Sequence, residues 1–138
     1  MRAILLLLLA TITAASASPP KDTARRYATT LDHLEGYCSQ TDCFSDEKFW
    51  RESARVARQS APDIIHAIML RSPKWRAEEG LLYVPLVAFL PRGETMKLLR
   101  DYLRSTNEFE RIWAREFITE LDMPDTQKAI QALSGSHQ

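Results

Sequence analysis

The side chains able to do chemistry in this chain are few, and their spacing narrows that chemistry quickly. The only cysteines are Cys38 and Cys43, in the stretch Gly36-Tyr-Cys-Ser-Gln-Thr-Asp-Cys-Phe44. Structural zinc wants four ligands, normally two close pairs, and no second pair is present. A dithiol redox centre spaces its cysteines by two residues at a helix start, whereas four intervene here. The histidines His33, His66 and His137 are scattered. His33 follows Asp32, but adjacent helical positions do not face each other, so as a base it would need a nucleophile brought from elsewhere. His66 follows an isoleucine pair and reads as a boundary residue. The acid pairs Asp46-Glu47 and Glu78-Glu79 would suit glycoside cleavage. Each falls in the early turns of a predicted helix, where carboxylates favour the positive end of the dipole. No G-x-S-x-G, H-E-x-x-H, C-x-x-C or glycine-rich phosphate loop occurs. The expectation is no catalytic residue, no cofactor and no metal ligand.

The compartment decides the chemistry of the cysteines. Met1 and Arg2 give a positive start, Ala3 to Thr13 is apolar except at Thr11, and Ala15-Ser-Ala17 matches a small-residue cleavage pattern. The apolar run is about ten residues, against roughly twenty needed to cross a bilayer, so residues 1–17 read as a signal peptide and no membrane span is expected. The predicted localisation is periplasmic or secreted, after cleavage near Ala17. No cysteine stands at the cleavage point, where Ser18 follows Ala17, so a bacterial lipid anchor is not indicated. In an oxidising compartment an even cysteine count reads as a disulfide, Cys38 to Cys43.

Composition excludes other classes. Lys+Arg and Asp+Glu both number 18, which argues against an electrostatic nucleic-acid binder. Arginine outnumbers lysine and asparagine occurs once, at Asn107, a bias of GC-rich bacterial coding that points to the periplasm. With 45% hydrophobic residues, residues 18–134 should form one domain around one core, with 135–138 frayed.

The elements that must carry these residues are helical, for there is almost no β-branched alternation. Asp22 can cap a helix to about Tyr37, with Ala24, Tyr27, Ala28, Leu31 and Leu34 on one face. Ser45 reads as the next cap, with Phe44 and Phe49 stapled across it, for a helix to about Gln59 that buries Phe49, Trp50, Ala54 and Ala57. Ser60-Ala-Pro-Asp63 opens a third helix carrying Ile64, Ile65 and Ile68, which ends near Arg71. The apolar run Leu81 to Leu90 predicts the central core helix, kinked or split at Pro85. Pro91-Arg-Gly-Glu94 reads as an exposed turn. A stripe of Met96, Leu99, Tyr102 and Leu103 follows it. Asn107-Glu-Phe-Glu110 is a capping-box pattern before a stripe of Phe109, Ile112, Trp113, Phe117 and Leu121. Asp122-Met-Pro-Asp125 starts a last helix with Ala129, Ile130 and Leu133. The fold class is therefore all-α, with about six or seven short helices. Trp113, Phe117, Leu82, Leu86 and Ile65 should share one core, and Trp50 and Trp75 are placed on inner stripes like Trp113.

The segment "FERIWAREFITELDMPDTQKAIQAL" resembles one HEAT-type unit, two helices joined by a short D-x-P turn, and Lys74 to Leu103 resembles it loosely. Pro62, Pro91 and Pro124 would each open the second helix of a pair. That resemblance implies stacked helix pairs with a broad surface for another protein; a compact bundle is the alternative.

In its signal peptide, size, helix content and single disulfide, the chain also resembles, as a class, the periplasmic immunity proteins of bacterial type VI secretion, which block incoming cell-wall-degrading amidases. The resemblance carries no motif and so no functional residue. It implies a protein-binding protein, not an enzyme, that inhibits a toxic effector by occlusion. The expected partner is a protein, the effector or a second copy of the chain. Loops commonly carry recognition, so Arg92, Gly93 and Glu94 are the candidate contact residues. The alternatives are a carrier of a small apolar ligand, with the kinked helix walling a pocket, and an envelope-assembly factor.

Overall fold

The computed structural model describes residues 20–38 and 43–135. The leader-like segment 1–17, His137 and the end of the tail lie outside these residues. Among them the chain forms seven α-helices and no strand. These are α1 (Pro20–Cys38), α2 (Glu47–Arg58), α3 (Ile64–Arg71), α4 (Val84–Ala88), α5 (Arg92–Tyr102), α6 (Glu108–Leu121) and α7 (Pro124–Gly135). Short 3-10 helices cover Cys43–Ser45, Ser72–Lys74 and Glu79–Tyr83.

Helix α1 begins with proline in its first turn, where the missing N–H is no loss, and Asp22 lies inside that turn instead of capping it. Thr23, Tyr27, Leu31 and Leu34 recur at helical spacing and are buried. Helix α2 is capped one residue later than the sequence pattern suggests. Asp46 has the extended cap conformation and accepts from the Lys48 N–H at 3.0 Å, while Ser45 belongs to the preceding 3-10 turn. The staple shifts with it. Phe44 packs on Trp50, ring centroids 6.2 Å apart, and the Trp50 indole N–H donates to the Phe44 carbonyl at 3.1 Å. Phe49 turns inward, fully buried, against Tyr37.

Helix α3 buries Ile64, Ile65, Ala67, Ile68 and Met69, so most of its circumference is enclosed. Its N-cap Asp63 caps no backbone N–H. The carboxylate instead takes Arg26 and the Tyr27 hydroxyl of α1, which ties the two helices together. The run Leu81 to Leu90 is split, as proline predicts: a 3-10 helix ends at Tyr83, and α4 begins with Pro85 in its first turn. Tyr83, Val84, Leu86 and Val87 are buried, whereas Leu81 and Leu82 are only half-buried.

Residues 91–94 are not a turn. Arg92 already begins α5, with Pro91 as its cap, because proline's fixed φ suits a helix start. In the α5 stripe Leu99 is buried, but Leu103 is exposed. Asn107 caps α6 by accepting from Phe109 and Glu110 N–H groups at 2.9 and 3.4 Å. The return half of the box is relayed: Asn107 N–H donates to Ser105 Oγ at 3.0 Å, and the Ser105 hydroxyl donates to Glu110. The buried face of α6 is Trp113, Ala114, Phe117 and Leu121, while Phe109 and Ile112 are 47% and 42% exposed. Ala114 is fully buried at the centre of that face, and because a small residue gives no strong apolar signal, the large residues alone misplace the stripe.

Helix α1 packs chiefly on α3 and α2 on α4, while α5 pairs with α6, which also touches α4. Helices one and three, and two and four, are thus neighbours, an interleaved bundle instead of a stack of consecutive pairs. Most of the buried apolar side chains from Tyr27 to Leu121 form one cluster, with Trp113, Phe117, Leu86 and Ile65 in it and Leu82 packed against it.

Candidate functional site

The feature that brings polar groups together is an open cleft of about 790 Å3 between the C-terminal half of α1, the cystine turn, and the segment from the end of α3 to the start of the 81–90 run. One wall is built by helical spacing: Asp32, Glu35 and Cys38 recur every three residues on α1. The disulfide extends that wall. Cys38 and Cys43 are bonded with Cα atoms 5.4 Å apart, which holds Cys43 and Phe44 beside the end of α1. The opposite wall comprises Lys74, Trp75, Glu78, Glu79, Leu81 and Leu82.

Arg71 struts the two walls apart at a fixed distance. Its Nη1 lies 2.8 Å from Asp32 and 3.1 Å from Glu35, and its Nη2 donates to the Ala28 carbonyl at 3.3 Å. The other Glu35 oxygen accepts from the hydroxyl of fully buried Tyr83. Burial opposes the charge on Arg71, yet Asp32 and Glu35 outweigh it and the guanidinium is held more basic than usual. Burial, reinforced by the Glu35 carboxylate, pushes the Tyr83 phenol far above its ordinary value, so it stays a donor.

The floor is aromatic. Trp75 is half-buried and meets Trp113 edge-to-face at 4.8 Å and Tyr83 at 5.5 Å. Gly80 permits this: a Cβ there would lie well under 3.0 Å from Trp75 and 2.7 Å from Trp113 Cζ3. The indole nitrogen of Trp75 is buried with no hydrogen-bond partner among the described residues. Between Trp75 and Glu78, Ala77 has φ of 49°, the left-handed region that a residue with a Cβ rarely adopts. The arrangement can accept cations and N–H donors along an apolar surface.

Of the site residues expected from sequence, the cystine lies at this cleft and Arg92, Gly93 and Glu94 do not; the acid pair Glu78-Glu79, read from sequence as helix-dipole acids, also lines it. Arg92, Gly93 and Glu94 are exposed in the first turn of α5, where Arg92 is 2.9 Å from Asp122, and they do not line it. His33 stands 3.9 Å from Glu52 on an outer face, and His66 Nδ1 lies 2.5 Å from the Tyr102 hydroxyl. Among the described residues no group of three or more His, Cys, Asp or Glu could hold a metal ion, and no helix is long and apolar enough to cross a membrane. Sequence reasoning missed Asp32, Glu35, Lys74, Trp75 and the Glu78-Glu79 pair as parts of one site. The available signal was "PKWRAEEG", where a tryptophan stands in a charged stretch with no helical period. Comparison with protein families, curated proteins and solved structures finds no match for this chain.

Proposed function

We propose that this chain is an exported, periplasmic binding protein that inhibits a toxic cell-wall-degrading effector, of the kind delivered by type VI secretion, through occlusion. The observation that carries the reading is the cleft: an immobilised tryptophan and two leucines ringed by charged groups. That pattern, an apolar centre with a polar rim, is how protein-binding hot spots are built. Its walls are fixed in advance by the cystine and the Arg71 strut, so little conformational entropy is lost on binding, which suits the affinity an inhibitor needs. The leader-like start of the sequence and the cystine support export. A carrier of apolar ligands would want an enclosed apolar cavity. The cleft is open and charged, and the residues of the 81–90 run behind it pack into the core, which favours binding of a protein.

The neighbouring reading frame and an envelope pull-down test this reading together. The expected result is a cell-wall hydrolase encoded beside the gene, recovered with the protein and inhibited by it. If no hydrolase is recovered, and deletion leaves cells unharmed by toxin-bearing siblings, the inhibitor reading fails.

A further inference from the structure

The lining of the cleft is unbalanced in charge, with Asp32, Glu35, Glu78 and Glu79 set against Arg71 and Lys74. Arg71 is already committed to Asp32 and Glu35, and Glu35 also holds the Tyr83 hydroxyl. Glu78 and Glu79 are exposed and make no ion pair or side-chain hydrogen bond among the described residues. They stand at the edge of a floor made by Trp75, Leu81 and Leu82. Trp75 is backed by Trp113 and cannot swing away.

Resting on the inhibitor reading for the identity of the partner, we infer that the cleft receives a cationic, apolar-flanked loop of the partner protein. An Arg or Lys of that loop reaches Glu78 and Glu79, while an adjoining aliphatic or aromatic side chain covers Trp75, Leu81 and Leu82. A guanidinium at this rim gains twice, from the carboxylates and from the indole face. The anionic rim also steers such a loop in and repels an acidic one. Contact with the cleft leaves the exposed first turn of α5 outside the interface.

The test is a heteronuclear NMR titration of the oxidised protein purified from a periplasmic preparation, with the probe peptide Ac-Leu-Arg-Leu-Lys-Leu-Gly-NH2. A fragment this short is expected to bind with Kd near about 1 mM, shifting the Trp75 indole and the amides of residues 78–82 saturably. The same peptide with glutamate at both basic positions should shift neither. Glu78→Gln with Glu79→Gln, both exposed and without structural partners, should weaken binding about fivefold and leave the fold intact by circular dichroism. Absence of shifts at Trp75, equal shifts from the acidic peptide, or an unchanged Kd in the double variant would each overturn the assignment. A peptide that behaves as expected without any inhibited enzyme keeps the cleft assignment and removes the inhibitor reading. An enzyme inhibited equally by the double variant does the reverse.

Discussion

At the scale of single residues, Gly80 is the position where backbone and ring packing meet. Gly80→Ala forces a methyl into the rings of Trp75 and Trp113, which are backed by Phe117 and cannot retreat far. The expected cost is about 2 kcal/mol, as for other overpacked sites, with a change in tryptophan fluorescence. Gly36→Ala is the matched control. Among the described residues nothing lies within 4 Å of its added Cβ, so that helix should gain about 0.5–1 kcal/mol. Urea denaturation of the two variants checks both signs. The tyrosines make a second residue-scale prediction. Burial raises the phenols of Tyr83, Tyr102 and Tyr27 above 10.0, with Glu35 adding at Tyr83, Glu110 at Tyr102 and Asp63 at Tyr27. Folded phenols keep their protons where the unfolded chain loses them. This stabilisation is complete below about pH 10 and is lost as pH rises beyond it. Tyr83→Phe should flatten that alkaline slope by about 1.4 kcal/mol per pH unit, measured by unfolding at stepped pH.

At the scale of elements, periodicity revealed the helices but not their ends or their rotation. Ile64, Ile65 and Ile68, or Leu31 and Leu34, announce a buried face because large apolar residues there have no other use. Ser45 and Asp46 are both good caps, and the 3-10 turn Cys43–Ser45 takes up Ser45 and leaves the cap to Asp46. Arg92 to Glu94 look like a turn because proline and glycine mark turns and helix starts alike. The cleft was almost illegible. Its α1 carboxylates satisfy helix periodicity as solvated residues, and its walls come from segments well separated in sequence, residues 32–44 and 74–82. Only the cystine was plain, because two cysteines five positions apart, with no second pair for a metal, left a disulfide as the expected pairing. Its contribution as an element is local. Closing so short a loop should stabilise the fold by about 2 kcal/mol, so Cys38→Ser should lower the denaturation midpoint without abolishing folding. Thiol labelling of the exported protein should find no free cysteine until reductant is added. Two reactive thiols under oxidising conditions would contradict the pairing.

At the scale of the whole molecule, the interleaved bundle lines the cleft with the C-terminal half of α1 and the end of α3, and with the short, irregular segments around 43–45 and 72–83. The core gives rigidity, and the 3-10 turns with the cystine give the concave shape. Under the proposed function, recognition would need no motion beyond side-chain adjustment, and inhibition would be simple obstruction of the docked enzyme. The measurement closest to the proposed function is peptidoglycan hydrolysis by the cell-wall hydrolase which that proposal expects in the adjacent reading frame, titrated with the oxidised protein. The account predicts that activity falls linearly to near zero at equimolar protein, and that Glu78→Gln with Glu79→Gln shifts the endpoint to higher concentration. Hydrolysis undiminished by excess protein would contradict it.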